Sequence, residues 1–485
     1  MKQVSRLLVP ILLCLMVPVR AQDGERALIY PEHLREDLEV FRQALHAAHP
    51  DPYRYVTRAA LDRTIDSLSR SITVPLAHER FAAAIQPLLH RLGDPNTVLE
   101  DPGVDRDWYR QQVLLLPLEV RVCEEVLVLE DELKGFGSIP PGSSILAIDG
   151  LPVGEVLGRM RAGIVSRGCG AGYADRMIEE RFPELYDRFV GRDPQHDIRY
   201  HTPDGEEHTT RIASLTLEEM DRSMRPLEAD VLTPWHYVHH DDLATTWLRL
   251  ETFDQDRLRA AGIRTDRFLD ELNTHLRDRE VEVLVIDVRG AAGRELHMAE
   301  EVFSRFAEEP FRVVQGMSVR SMSPPKGFVK SADSEAYYAS VNAQYLPDRN
   351  EVYLLRPDDP RLEPMDPVRK AFGGKVYIVQ DGGTREAGAA LSILAGRSGR
   401  ARLVGEATGT NALAYCGGRT LDVKAPASGL VLRMPLVRYL WDGAPRGEVD
   451  DGEPPHHPAH QEVSAVARGR DSVRDNLLQL IRELR

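Results

Sequence analysis

Residues 375–410, KVYIVQDGGTREAGAALSILAGRSGRARLVGEATGT, decide the fold of this chain. The β-branched run at 376–379 predicts a strand, DGG at 381–383 predicts a turn, and the small residues that follow Arg385 predict a helix. A second strand is predicted at 402–405. In α/β enzymes, this order of strand, turn and helix exposes one side chain at a helix N-terminus, where free backbone N–H groups stabilise an anion.

The sequence before this stretch continues the alternation of strands and helices. TTWLRLETF at 245–253 and the apolar run VEVLVIDV at 281–288 predict strands, the second of them buried on both faces. Helices are predicted at 258–276 and 296–306. This alternation favours a mainly parallel sheet with right-handed crossovers, and hence an α/β core.

The turn after the strand predicted at 376–379 resembles a turn of the tail-specific (C-terminal processing) serine protease family. In that family a strand leads into a T-x-S-A-x-E turn, whose serine is the nucleophile. Here the turn reads Thr384-Arg385-Glu386-Ala387-Gly388, so Glu386 stands at the serine position. The resemblance implies a crotonase-like core in which the scaffold is kept and the nucleophile is lost.

The turn DVRGAAGR, which follows the buried strand, is similar to the family's D-L-R-x-N-x-G-G turn, which lends a backbone donor to the oxyanion hole. Gly290 and Gly293 fit that motif, whereas Arg294 replaces a glycine and reshapes the pocket. The resemblance implies a groove formed by these two glycines with Glu386 and Ala387. An oxyanion hole that survives in part would have nothing to stabilise without a nucleophile.

Neither base known for the family is found at its place. In one branch a D-G-H-T turn carries a histidine; here Asp94 and Thr97 match, but the histidine position is Asn96. An amide does not take up a proton near neutral pH, so it cannot act as a general base. Other members use a lysine in G-x-x-T-x-G-K; here Asn411 stands near the lysine position, and Lys424 lies well beyond it in a predicted strand.

Other residues near the serine position leave alternatives open. Thr384 is the fallback nucleophile, although a threonine is also the family's ordinary residue at that place. Glu386 could act as a carboxylate base or covalent nucleophile, but a carboxylate favoured by the helix dipole is the simpler interpretation. Ser392 lies two helical turns further in, about 9 Å away, and is interpreted as a buried helix serine that bonds its own backbone.

An N-terminal helical cap is predicted at 30–104, and the protease-like α/β core at 236–485. Apolar residues recur at helical spacing from 34 to 45. The text from 34 to 53 resembles the helical cap of many tail-specific proteases, including its HP-x-x-Y ending. The charged stretch 216–235 is predicted to be the linker before the core.

A PDZ-like β domain is predicted at 105–215. The segment 139–156, IPPGSSILAIDGLPVGEV, resembles the hairpin of PDZ domains, which bind a peptide C-terminus by adding it to a sheet edge as a strand. In the preceding GFGS, the backbone amides around Gly135, Phe136 and Gly137 are predicted to bind the peptide carboxylate, with a plain surface loop as the alternative.

Composition and the N-terminus restrict partners and location. The formal net charge of −15 argues against a nucleic-acid partner, which would need a basic face. Residues 1–21 combine a basic start, a short apolar run and small residues before Gln22, which predicts a secretory signal; an N-terminal membrane anchor is the alternative. We therefore expect an exported protein, periplasmic or secreted, with no membrane span after signal removal.

After signal removal the chain holds Cys123, Cys169 and Cys416, an odd number for which free thiols are favoured and one disulfide is possible. Two groups of histidines, at 236–240 and 456–460, are competent metal ligands. No zinc spacing fits either group, and both are interpreted as solvated loops. No metal and no cofactor are predicted.

Three functions are compatible with these observations. The first is an exported family member that binds polypeptides or protein C-termini and hydrolyses them weakly or not at all. The second is an active endopeptidase with a rearranged site that uses Thr384 or Glu386. The third is a non-catalytic envelope scaffold or binding protein in which the groove is vestigial.

Overall fold

The computed structural model of the chain describes residues 28–102, 106–134, 137–223, 233–349, 351–445, 447 and 450–483. The signal predicted at 1–21 therefore lies outside the described residues. Among the helices that are described, none is both long enough and apolar enough to cross a membrane.

The N-terminal segment is helical. Its elements are α1 (Pro31–Ala48), α2 (Arg58–Ser71), α3 (His78–Leu92) and the short strand β1 (Val98–Glu100). The apolar stripe predicted on α1 faces inward, since Leu34, Leu38 and Leu45 are buried in the main core. Gly93 ends α3 in the left-handed conformation (φ 73°), as is usual for a glycine after a helix.

A β-rich unit follows. Its elements are α4 (Arg106–Gln112), β2 (Leu118–Cys123), β3 (Val126–Glu132), β4 (Ser144–Ile148), β5 (Leu151–Pro152), α5 (Val153–Gly163), α6 (Tyr173–Glu180), α7 (Phe182–Phe189), β6 (Gln195–His201), β7 (Glu207–Ala213) and α8 (Leu217–Ser223). The strands are ordered β2-β3-β4-β6-β7, with β5 paired to β4. The hairpin predicted from the sequence is β4–β5, whose turn residues Asp149 and Gly150 have φ values of 51° and 78°.

The rest of the chain forms an α/β core. Its elements are β8 (Trp235–His240), β9 (Thr245–Leu250), α9 (Gln255–Ala260), α10 (Thr265–Asp278), β10 (Val283–Asp287), α11 (Leu296–Ser304), β11 (Val314–Val319), β12 (Phe328–Val329), α12 (Ala332–Gln344), β13 (Tyr345–Pro347), β14 (Tyr353–Leu355), β15 (Lys375–Gln380), α13 (Ala387–Arg397), β16 (Arg402–Gly405), β17 (Ala414–Lys424), β18 (Val431–Trp441), β19 (His457–Pro458), α14 (Val463–Val466) and α15 (Ser472–Glu483).

Two sheets make up this core. The first has the order β19-β16-β15-β10-β9-β8, and its pairs are parallel except for the edge pair β8–β9. The second is antiparallel, with the order β12-β17-β18-β11-β14-β13 and with β1 paired to β18. Side chains of both sheets, of α11 and of α13 share one apolar core with the N-terminal helices. The carboxyl ends of β10 and β15 therefore meet at one edge of the parallel sheet, where ligands usually bind in open α/β sheets.

Some sequence expectations differ from the structure. The single helix expected at 258–276 is instead the pair α9 and α10, which separate at Gly262 (φ 76°). The linker expected at 216–235 contains α8 and the start of β8, while 224–232 lie outside the described residues. The interpretation of 236–240 as a solvated loop was wrong, because these residues form β8 and pair with β9.

We expect Asp37→Ala to lower the free energy of unfolding by about 3 kcal/mol. Asp37 is fully buried, and its carboxylate accepts the N–H groups of Ala427 (2.8 Å) and Ser428 (2.7 Å) in the turn between β17 and β18. Hydrogen bonds to a buried carboxylate contribute about 1.5–3 kcal/mol each, and the change leaves the buried Ser428 amide unpaired. Urea denaturation measures the loss. Asp37→Asn, which keeps one acceptor oxygen, should lose less stability. A free energy of unfolding that is unchanged in Asp37→Ala would show that these two hydrogen bonds do not stabilise the fold.

Candidate active site

The turn between β15 and α13 places Glu386 where the sequence predicts the exposed side chain. Glu386 precedes the first residue of α13 and has φ 51° and ψ −116°, a conformation that costs free energy in any residue other than glycine. Its own N–H donates to the Thr410 hydroxyl (2.8 Å), so the turn is attached to the loop after β16. The backbone thus has the sharp geometry of a nucleophile turn, but the side chain is a carboxyl group.

The surroundings of Glu386 favour its neutral form more than water does. Burial raises the pKa of the Glu386 carboxyl, and Arg385 and a backbone hydrogen bond with Gly293 oppose that rise. The buried hydroxyl of Tyr415 has no hydrogen-bond partner among the described residues, and the charge of Glu386 is one of the causes that raise the pKa of this tyrosine. Sequence analysis did not find Tyr415, because a tyrosine in a predicted strand carries no signal of its own.

We expect Glu386→Gly to raise the free energy of unfolding by about 1–2 kcal/mol, because glycine adopts a positive φ without strain. Thermal or urea denaturation measures the gain. Glu386→Gln is the matched control, since it removes the charge and keeps the strained backbone. If the free energy of unfolding rises equally in Glu386→Gly and Glu386→Gln, the destabilisation would come from the carboxyl charge and not from the backbone conformation.

The residues predicted to form the oxyanion groove do meet in the structure, but their amides are already bonded. Ala387 donates its N–H to the carbonyl of Gly293 (3.0 Å), and Arg385 donates to the carbonyl of Ala291 (2.8 Å). Gly290 donates its N–H to the Asp381 carboxylate (2.8 Å). The expectation that part of an oxyanion hole survives is therefore corrected, because the Ala387 and Gly290 amides do not point at an empty position.

Asp381 organises the turn. Its Oδ1 atom accepts the N–H groups of Gly290 and Gly383 and lies 3.2 Å from the Thr384 hydroxyl oxygen. In the sequence this residue is recognisable only as part of a DGG turn.

Thr384 is not placed to act as the fallback nucleophile. It is fully buried, and its hydroxyl donates to the carbonyl of Val288 (2.9 Å) while accepting the N–H of Asp381 (3.0 Å). Ser392 is also fully buried inside α13, as expected, but the expected bond to its own helix backbone is absent, because its hydroxyl has no hydrogen-bond partner among the described residues.

The turn at the histidine position of the family holds its asparagine in a structural role. Asn96 donates its side-chain N–H to the carbonyl of Cys416 in β17 (2.7 Å). The neighbouring Asp94 is held by the buried His49, whose Nε2 lies 2.9 Å from the carboxylate and whose Nδ1 accepts the N–H of Asp51. Nδ1 accepts, so Nε2 carries the proton and His49 orients Asp94. The HP-x-x-Y ending of α1 was the sequence signal for this histidine.

The position of the family's lysine is also structural here. The side-chain oxygen of Asn411 accepts the guanidinium of Arg54 (2.5 Å) and the N–H of Leu413 (2.8 Å). Lys424 lies at the exposed end of β17. The three substituted motifs thus converge on the segment 408–416, through Thr410, Asn411 and Cys416.

Of the three residues predicted to bind a peptide carboxylate, only Gly137 lies within the described residues. Gly135 and Phe136 lie outside the described residues. Beyond them, Ser138 and Ile139 both donate their N–H groups to the carboxylate of Glu132 at the end of β3, the second over 2.6 Å. Glu132 is 1% exposed, and Gly137 approaches it so closely that an added Cβ would lie 3.3 Å from its oxygen. The two amides that follow Gly137 therefore bind an internal carboxylate, and peptide binding by Gly135 and Phe136 stays a prediction.

A cleft of about 560 Å³ lies between the β-rich unit and the carboxyl edge of the parallel sheet. It is lined by β2 and α6 on one side and by Gly290, Asp381 and Glu406 of the core on the other. Seven carboxylates and five guanidinium groups line it. Glu386 and Asn96 do not line this cleft, although Asp381 and Gly383 of the same turn do.

Two further findings concern the cysteines and the potential metal ligands of the described residues. Cys123, Cys169 and Cys416 are free thiols. No group of three or more histidine, cysteine or acidic side chains is arranged to hold a metal among the residues that the structure describes.

The parallel sheet, the strained turn before α13 and the glycine turn after β10 are the features of the α/β core that can be compared with known proteins. Residues 244–442 match the sequence profile of peptidase family S41. Over these residues the α/β core is therefore similar to peptidase family S41, the tail-specific proteases.

Solved structures show the same fold over nearly the whole chain. The structure of mature CPAF has a TM-score of 0.62 at 14% identity, with 93% of this chain and 98% of that chain covered. The structure of a serine-to-alanine mutant of CPAF has a TM-score of 0.69 at 11% identity, with 94% and 98% covered. No curated protein matches the chain. At these identities the structural likeness concerns the fold alone.

Proposed function

We propose that this chain is an exported polypeptide-binding member of the tail-specific family that has lost hydrolysis by the family's serine route. One observation carries the proposal: the nucleophile turn is kept in its strained form, yet it presents Glu386 and bonds the Ala387 amide to Gly293. A serine peptidase needs an attacking oxygen, a base and free oxyanion donors at this place. All three roles are unfilled here.

The binding half of the proposal is supported by the β-rich unit. We infer that this unit is PDZ-like, because it combines the β4–β5 hairpin with an end strand, β2, beside the cleft. An end strand offers backbone N–H and C=O groups to an extended peptide. The helical cap and the core would then serve to hold this unit over the carboxyl edge of the sheet.

The rearranged endopeptidase is the less favoured alternative, because the Thr384 hydroxyl is buried and doubly bonded. The purely scaffolding alternative predicts no affinity for polypeptides. Neither alternative has a structural observation in its favour that the binding proposal lacks.

The test combines three measurements on the purified chain without residues 1–21. Fluorescein-labelled, denatured casein reports cleavage, a fluorophosphonate probe reports a reactive serine or threonine, and fluorescence anisotropy with short synthetic peptides reports binding. We expect binding without cleavage and without labelling. Cleavage that is abolished by Thr384→Ala or Glu386→Ala would establish the rearranged enzyme instead, and the absence of both binding and cleavage would leave a scaffold.

A further inference from the structure

Strand β2 ends its sheet, and its outer edge faces the interdomain cleft. Glu119, Val120 and Arg121 of β2 line that cleft, while β3 pairs with the opposite edge. The outer edge of an end strand carries N–H and C=O groups that no neighbouring strand satisfies. Such an edge needs either a cover or a partner.

In this structure two side chains of α6 take the place of a neighbouring strand at Val122. The Glu179 carboxylate accepts the Val122 N–H over 2.7 Å, and the Arg176 guanidinium donates to the Val122 carbonyl over 2.8 Å. The two side chains also pair with each other at 2.8 Å. An acceptor for the N–H and a donor for the C=O are the same pair of groups that one residue of an added strand would supply.

The Arg176–Glu179 pair is an imperfect occupant of the edge. The two side chains are 11% and 9% exposed, so both charges are largely removed from water. The Nε atom of Arg176 is buried and has no hydrogen-bond partner among the described residues. A buried ion pair returns little net stability once both charges have been desolvated. A peptide strand that replaced it would let both side chains return to water.

The charge of the cleft indicates which peptides would enter. Its seven carboxylates outnumber its five guanidinium groups. Glu119 and Asp381 line it without an ion-pair partner in the described part of the chain, and Asp381 instead accepts two backbone N–H groups. An extended segment with basic side chains complements this lining, and an acidic segment does not.

We propose that the Arg176–Glu179 pair is an internal competitor, which occupies the outer edge of β2 and is displaced when an extended, basic polypeptide segment enters the cleft. This proposal rests on the polypeptide binding proposed above and adds its regulation and its preference for charge. No covalent step is involved.

Displacement of the pair should be linked to pH. Burial raises the pKa of Glu179 to about 7, while Arg176, Arg121 and the Val122 N–H oppose the rise and Asp381 adds to it. The remaining charged groups around the pair are Glu130, which binds Arg121, and Glu406, which lies 3.8 Å from Arg176. A displaced Glu179 would be exposed, with an ordinary pKa of about 4.3. Protonation below pH 7 therefore favours the closed edge, and peptide affinity should increase by up to about tenfold per unit as the pH rises from about 5 to 7.

The probe for the test is a fluorescein-labelled synthetic peptide of repeated Lys-Thr-Val-Thr units, with fluorescence anisotropy as the measurement. Two further peptides serve as comparisons: one has Glu in place of every Lys, and the other has Pro in place of every Val and cannot pair as a strand. The protein variants are Glu179→Ala and, as a matched control in the same unit, Glu155→Ala, which removes the exposed pair with Arg159 on α5.

For the wild-type protein we expect the basic peptide to bind and the proline peptide not to bind. Glu179→Ala should bind the basic peptide at least about tenfold more tightly, since one charge-assisted hydrogen bond no longer competes. Glu155→Ala should match the wild type. Should Glu179→Ala fail to fold, the pH titration of the wild type is the alternative test, and affinity that is constant from pH 5 to 8 would overturn the proposal.

The outcomes separate this proposal from the function on which it rests. If no peptide binds any variant, the proposed polypeptide binding fails, and the competitor fails with it. If peptides bind but Glu179→Ala equals the wild type, or the proline peptide binds equally well, only the competitor at β2 is refuted. If the acidic peptide binds as tightly as the basic one, the preference for charge is refuted.

Discussion

Glu386→Ser, alone or together with Asn96→His, is expected to leave cleavage of denatured casein at background. In a serine protease, loss of the nucleophile alone lowers turnover by a factor on the order of 10⁶, and we expect a shortfall of this size for the wild-type chain against a member with the intact serine. Restoring the serine and the histidine is not sufficient here, because the backbone amides that would form the oxyanion hole and the turn that would carry the base already make other hydrogen bonds. The same casein and fluorophosphonate assays measure the outcome.

The first missing support is the set of oxyanion donors. The Ala387 amide is bonded to Gly293, and the Gly290 amide to Asp381. The loss of one such donor costs about 10²–10³ in turnover in a working protease, so the loss of two would hide the gain from a restored serine.

The second missing support is the base. The Asn96 side chain points at the carbonyl of Cys416, over 2.7 Å, and its turn is fixed by the Asp94–His49 pair. The histidine of the Asn96→His variant would donate one ring N–H to the same carbonyl and keep its other ring nitrogen as an acceptor, but no hydrogen bond of the described residues joins Asn96 to Glu386, so that nitrogen is not directed at the serine that Glu386→Ser introduces. Glu386→Gln is the control for any change in stability. Casein cleavage or probe labelling by the double variant would show that only the serine and histidine side chains had been lost and that the rest of the site was still competent.

Much of the core could be predicted from local pattern. The run at 281–288 and the stretch 375–410 each carry a strand of continuous apolar residues beside a turn, and the structure has β10, β15, α13 and β16 there. These elements are specified by short-range sequence, because burial on both faces requires apolar residues at every position. The position of Glu386 at the turn was predictable for the same reason.

What could not be predicted depends on contacts between distant segments. Asn96 is bonded to a carbonyl 320 residues further along the chain, and Asp381 to an amide 91 residues before it. The charged side chains Glu132 and Glu179 look like ordinary surface residues in the sequence, yet both are buried and bind backbone amides. Periodicity has no means of identifying such carboxylates, since it records where apolar side chains recur and not where a polar one finds a partner.

The second large expected effect is on stability, and it concerns the buried carboxylate of Asp287, which precedes the glycine turn at 290–293. Asp287 is 3% exposed at the end of β10, and its carboxylate accepts the guanidinium of Arg289 at 3.0 and 2.6 Å and that of Arg249 at 3.3 Å. Arg289 also donates to Asp471, the residue immediately before α15. This network joins the parallel sheet to the C-terminal helix at the edge that carries the cleft.

Asp287→Ala is expected to lower the free energy of unfolding by about 3–5 kcal/mol, the usual cost of removing one partner from a buried ion pair. Urea denaturation followed by circular dichroism measures the loss. Asp475→Ala is the control, because it breaks the exposed pair between Arg470 and Asp475 on the same side of the molecule and should cost less than about 1 kcal/mol.

The network also fixes the direction of the pH dependence. Arg289 holds the pKa of Asp287 below its usual range despite burial, and hydrogen bonds from Arg289, Arg474 and Gln461 lower the pKa of Asp471 to about 2. A carboxyl group whose pKa is lower in the folded state stabilises the fold above its unfolded pKa of about 3.9, and that contribution is lost as the pH falls towards 2. The wild type should therefore lose stability steeply between about pH 4 and 2, and Asp287→Ala should lose less over the same interval because part of the network is already gone. Equal slopes for the two proteins would mean that acid unfolding is governed by other carboxylates.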